Sequence, residues 1–96
     1  MAASFQLAYA TYLGTIRTGY PGAKIAAMRP FNGAHATEIK AVVDARRTSG
    51  DSRVYYVDTT GWLGSGDFTD GTHPSEQGST KAATALVAAM KAIGFP

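Results

Sequence analysis

Apolar positions recur along the chain in three blocks with helical spacing and two blocks with the character of buried strands. In residues 4–20, Phe5, Tyr9, Tyr12, Leu13, Ile16 and Tyr20 fall at three- and four-residue steps, which places them on one face of a helix. Ser4 is the expected N-cap, because its hydroxyl accepts from a free first-turn N–H. Gly19 and Pro21 are expected to end that helix, the first through a left-handed cap and the second by blocking continuation. A second helical pattern runs through Ile39, Val42, Val43 and Arg46 in residues 34–47, with Arg46 and Arg47 in the last turn, where cations suit the helix dipole. The third puts Ala82, Leu86, Ala89, Met90 and Ile93 on one face of residues 75–93, with Gly94 as its cap.

Between the helical blocks lie two short apolar runs. Residues 24–29 are bounded by turn residues and closed by Pro30, and residues 53–59 are rich in β-branched and aromatic side chains. Asn32-Gly33 marks a turn, and residues 48–52 read as a loop. The predicted order is α-β-α-β-α, an α/β class with parallel strands and right-handed crossovers. No internal repeat or linker divides the chain, so residues 1–96 are expected to form a single domain. Two strands make a poor parallel sheet, since such sheets are normally covered on both faces and built from several strands. Bare edges invite pairing with another chain. The sheet is therefore expected to be completed by a homodimer or higher homo-oligomer, or the chain to be part of a larger α/β domain.

Composition narrows the function classes. A chain of 96 residues buries only about two thirds of its unfolded surface, so its stability margin is thin. Nine Lys and Arg against seven Asp and Glu leave a formal charge of +2. The basic residues are scattered, so no nucleic-acid partner is expected. There is no cysteine, which excludes disulfides and thiolate metal sites. The N-terminus lacks a basic and apolar leader pattern, and no apolar run is long enough for a bilayer. The expectation is a soluble chain with no signal peptide and no membrane partner, from a parent open to secretion.

In an open parallel sheet, ligands bind beyond the carboxyl ends of the strands. Two loops qualify here: residues 29–35, with Phe31, Asn32 and His35, and the Gly-rich residues 58–74, with Trp62. A connection as long as the second is usually functional or disordered. It contains Asp70-Gly71-Thr72-His73-Pro74. Histidine takes and returns a proton near neutral pH, and needs a partner to fix its tautomer and orientation. A carboxylate supplies both. Three residues of separation across an Asp-Gly turn allow Asp70 to reach the His73 ring. The same residues admit a plainer account, a common turn pair followed by an exposed histidine ahead of a helix.

Asp70-Gly71-Thr72-His73-Pro74-Ser75, followed by Gly78 and an Ala-rich helix, resembles the last block of SGNH/GDSL-type serine ester hydrolases, of the form Asp-Gly-x-His-Pro-x-x-x-Gly. Residues 20–25 resemble that family's step from helix into its fourth strand, and residues 53–58 its last strand. The resemblance covers essentially the whole chain. It implies a C-terminal portion of a three-layer α/β/α, flavodoxin-like sandwich around a parallel sheet of about five strands. It also implies carboxylic ester hydrolysis of a small ester, with no cofactor and no metal. Asp70 and His73 would take the acid and base positions of the triad, His73 deprotonating a serine and then protonating the leaving alcohol. Phe31, Asn32 and Trp62 would lie near the substrate cleft.

The departures from the family are large. Its Gly-Asp-Ser nucleophile block near the start of the domain and its Gly-x-Asn-Asp oxyanion block have no counterpart ahead of the first helix, and the Gly-Asp-Ser run at residues 50–52 falls in the loop before the second strand. Ser65 lacks the strand-turn-helix setting of an exposed nucleophile, Ser75 reads as the N-cap of the last helix, and nothing supports Ser4. His35, His73 and the aspartates at 58, 67 and 70 show no metal-binding spacing. Three expectations stay open. The first is an SGNH-type esterase, or its His-bearing part with weak residual hydrolysis of activated esters. The second is a non-catalytic, self-associating fragment. The third is a minimal promiscuous hydrolase with a site at an oligomer interface, metal-assisted in one version.

Overall fold

A computed structural model describes residues 2–70 and 73–95. The first apolar stripe becomes helix α1, Ala2–Gly19. It starts ahead of Ser4, which is an exposed first-turn residue and not the cap. The alanines at 2 and 3 are the best helix formers and carry the helix past the serine. Leu13 is fully buried, with Phe5, Tyr9 and Ile16 packed around the same core. Tyr12 and Tyr20 do not join them, and both rings are exposed. Tyr12 lies about 100° around the helix from Leu13, and Tyr20 falls after the last helical residue.

The end of α1 also differs from expectation. Gly19 does not adopt a left-handed conformation. The chain is instead turned by Arg17, whose guanidinium donates to the carbonyls of Tyr20, Pro21 and Ala23 at 3.0, 3.3 and 2.6 Å. The same group donates in bidentate fashion to Asp51, at 2.9 and 3.0 Å, and Arg46 adds a third bond at 3.1 Å. These bonds hold the Asp51 carboxyl well below its ordinary value, at about 2, with the Arg17 hydrogen bond the largest cause. A side-chain network thus does the capping that the sequence assigned to glycine.

Strands β1, Ile25–Met28, and β2, Val54–Val57, pair in parallel, with Ile25 opposite Val54 and Met28 opposite Val57. They form a two-stranded sheet. Ile25, Ala27 and Val54 face helix α2, Ala36–Thr48, and α1, where Ile39, Val42 and Val43 complete one apolar core with Leu13. Period-two alternation explains why the strand residues between them lie toward the other side. There Tyr55 is covered by the Arg47 guanidinium, 5.2 Å from the ring centroid.

The last helix, α3, spans Glu76–Ala92. Ser75 caps it by accepting from the Gly78 N–H at 3.1 Å, as the sequence suggests. It ends at Gly94, whose backbone is left-handed and whose carbonyl accepts from Lys24 at 2.9 Å. The helix therefore runs from the loop beyond β2 back to the start of β1. Ala82 is buried, but Leu86, Ala89, Met90 and Ile93 on the same stripe are only half-covered. The architecture is mixed α/β, with three helices and one two-stranded parallel sheet among the described residues. No helix among them is long and apolar enough to cross a membrane.

Candidate active site

Both candidate loops leave the carboxyl ends of the strands. After β1, Arg29 still belongs to the ladder, its N–H donating to Val57 at 2.9 Å. Its guanidinium turns back to the carbonyls of Pro30 and Phe31 and to the Thr59 hydroxyl. Thr59 is 2% exposed, and its hydroxyl donates to the Arg29 carbonyl at 2.9 Å. The buried Thr59 hydroxyl thus both donates to and accepts from Arg29, which makes its burial tolerable. Arg29 and Thr59 thus bind the two loop bases together.

This clasp brings Phe31 and Trp62 to one place, with ring centroids 6.5 Å apart and tilted by 40°, an ordinary aromatic packing geometry. Trp62 is delivered by a tight turn in which its N–H donates to the Thr59 carbonyl at 3.1 Å. Gly61 takes φ 81° at the third position of that turn, a conformation glycine adopts without a steric penalty. Asn32 does something else. Its side chain accepts from the Ala34 N–H at 3.0 Å, stabilising its own turn. His35 is not directed at the other loop. It stacks on Phe5, with centroids 4.0 Å apart, and stands 3.5 Å from Glu38.

Among its described residues, the connection from β2 to α3 carries regular structure despite its glycine content. Residues 65–67 form a single 3₁₀ turn, and Phe68 bridges Pro74 in antiparallel fashion. The organiser is Asp67, 2% exposed, which the sequence gives no reason to single out. Its carboxylate accepts from the Gly64 N–H at 2.8 Å, the Lys81 ammonium at 3.0 Å and Gln77 at 3.1 Å. The Gly64 bond, followed by Lys81, lowers its carboxyl below the usual aspartate value. Its carbonyl accepts from the Ser75 N–H at 2.7 Å. Asp67 therefore ties the loop to the first two turns of α3.

Directly beyond this anchor lie Asp70 and His73. One Asp70 oxygen accepts from the His73 backbone N–H at 2.8 Å, and the other lies 2.8 Å from His73 Nδ1. Thr69 N–H donates to the His73 carbonyl at 2.8 Å, closing the same turn from the other side. Gly71 and Thr72, the middle of the motif, lie outside the described residues. The contact orients the imidazole with Nδ1 toward the carboxylate, leaving Nε2 as the edge able to exchange a proton with a third group. The pair stands on the surface, its side chains 76% exposed for His73 and 55% for Asp70.

Among the described residues no ring contact joins His73 to Phe31 or Trp62. The sequence-predicted residues thus fall into two local groups, Asp70 with His73 and Phe31 with Trp62. Ser75 is engaged as a helix cap, and Ser65 lies exposed in the 3₁₀ turn. Asp58 is held by its own loop, accepting from the Thr60 hydroxyl and N–H at 2.6 and 3.0 Å. Those bonds lower its carboxyl, the hydroxyl first. Among the described residues no three His, Asp or Glu side chains converge as a metal cage would require. No family model matches the chain, and comparison with curated proteins and with solved structures gave no significant match.

Proposed function

We propose that Asp70 and His73 form the acid–base pair of an SGNH-type carboxylic ester hydrolase, acting on a small ester. The observation that carries this reading is the 2.8 Å contact between Asp70 and His73 Nδ1, reinforced by the bond from the His73 backbone to the same carboxylate. Asp70 holds the ring in one tautomer. His73 Nε2 removes the proton from an attacking hydroxyl and returns it to the departing alcohol. Phe31 and Trp62 supply apolar surface beside the strand ends. The nucleophile and the oxyanion donors come from outside residues 1–96, and the parallel sheet is extended beyond two strands, toward a three-layer sandwich, by self-association or by further strands. The half-covered stripe of α3 supports that extension.

On its own, the chain is left with general-base or direct imidazole attack on activated esters. The experiment is hydrolysis of p-nitrophenyl acetate by the purified chain beside His73→Ala. Expected is weak turnover that exceeds free imidazole and disappears in the variant. Equal rates for both proteins would sink the reading. The exposure of His73 favours a second one for that outcome: the pair does no chemistry, and Asp70 serves only to fold the turn ahead of α3.

A further inference from the structure

The two edges of the sheet are not equivalent. Ile25 N–H donates to the Arg53 carbonyl at 2.8 Å and Arg29 N–H to the Val57 carbonyl at 2.9 Å. In a parallel ladder these bonds alternate along the strand. Ile25, Ala27 and Arg29 therefore direct their backbone groups into the sheet, and Ala26 and Met28 direct theirs outward. On β2 the outward positions are Val54, Tyr56 and Asp58. The Val54 carbonyl is already taken, accepting from the Arg47 guanidinium at 2.6 Å, and the same group reaches the Ser52 carbonyl at 3.2 Å. Arg47 also lies over the Tyr55 ring. A charged side chain from α2 thus blocks the β2 edge, one of the ways proteins protect a strand from pairing.

Among the described residues no such guard lies on the β1 edge. Its outward residues are an alanine and a methionine, both half-covered, and there is no charge or proline within Ile25–Met28. We infer that the β1 edge is a self-pairing surface, on which a second copy of this chain adds its own β1 in antiparallel fashion about a two-fold axis. The joined sheet then has four strands, in the order β2-β1-β1-β2. With the axis through Ala26, Ala26 faces its own copy and Lys24 faces Met28, so no like charges stand directly opposed. A two-fold axis requires the same patch on both copies, and a four-residue edge that is small, uncharged and unguarded meets that requirement. Antiparallel pairing sends the two sets of strand carboxyl ends to opposite sides of the joined sheet. Each Asp70–His73 pair then stands apart from the other, and the dimer does not bring two histidines into one site.

This inference rests on the self-association in the proposed function but not on ester hydrolysis. The test is amide hydrogen exchange on the intact chain, read at Ala26 and Met28 across a dilution series, with mass measured by sedimentation in parallel. Expected is a dimer at tens of micromolar in which both amides exchange at least about ten-fold slower than after dilution to monomer. A monomer throughout the series removes the self-association and the edge together. A dimer whose Ala26 and Met28 amides exchange freely leaves self-association standing and overturns the edge. Ala26→Pro removes only an outward N–H and is expected to give a folded monomer. Ala27→Pro removes an inward ladder bond and is expected to unfold the chain. A folded Ala26→Pro that remains dimeric also overturns the inference.

Discussion

The carbonyl oxygen of Asp67 occupies the space that a side chain on Gly78 would need. A Cβ built on Gly78 would overlap that oxygen and touch the Asp67 Cβ. The first turns of α3 can approach the loop this closely only because position 78 has no side chain. The glycine of the Asp-Gly-x-His-Pro-x-x-x-Gly pattern therefore has a structural cause. It lets α3 seat against the segment that carries Asp70 and His73.

Gly78→Ala is accordingly expected to destabilise the chain by about 1–3 kcal/mol, because backbone and not a flexible side chain would have to yield. Gly66→Ala, where a Cβ meets nothing within 4 Å, serves as the control and should be near neutral. Thermal unfolding followed by circular dichroism measures both. Equal midpoints for the two variants would contradict the packing account.

Asp67→Ala should lower the unfolding midpoint by roughly 5–10 °C. It removes three hydrogen bonds at once, from the Gly64 N–H, Lys81 and Gln77, and bonds to a charged group each contribute more than neutral ones. Lys81 is half-exposed, so Lys81→Ala should cost far less. A Lys81 variant as damaged as the Asp67 variant would show that the ion pair, and not the loop bonds, holds the segment.

Asp51 predicts a pH window. Its folded value of about 2 lies below its ordinary 3.8, so the Arg17 and Arg46 bonds stabilise the fold fully above pH about 4. Protonation then removes that contribution as the pH falls toward 2. The shift corresponds to on the order of 1–2 kcal/mol once solvent screening is allowed for. Urea midpoints of the wild type and Asp51→Asn should differ at pH 6 and converge near pH 2. A difference that persists at pH 2 would assign the effect to packing.

Asp70→Asn tests orientation separately from basicity. It should leave the fold intact, because the pair is exposed. It should reduce any His73-dependent ester hydrolysis by about 100-fold, toward the lower end of what a well-held general base contributes. Activity that survives in Asp70→Asn but not in His73→Ala would mean that His73 acts as a free imidazole.

The elements were legible because their signals are local. Five regular segments appear where periodicity puts them, and Ser75 and Gly94 cap α3 as their residue types suggest. The Asp70–His73 contact was legible for the same reason, since three residues of turn bring the two side chains together whatever the rest of the chain does. Ser4, Gly19 and Tyr20 depart from the sequence reading because their fate depends on the exact start and end of α1, and Tyr12 departs because it lies about 100° around the helix from the buried Leu13.

Sequence by itself determined the α-β-α-β-α order, the α/β class and the contact between Asp70 and His73, all consequences of interactions within a few positions along the chain. Only the tertiary structure decided that Arg17 would meet Asp51 across 34 residues, that Arg29 and Thr59 would lock two loops across 30, that Asp67 would be buried under α3, and that Arg47 would close one sheet edge. These contacts join residues with no sequence relationship. Each exists because packing the apolar faces brings charged and polar groups to places where they must find partners, and no local pattern records which partner that will be.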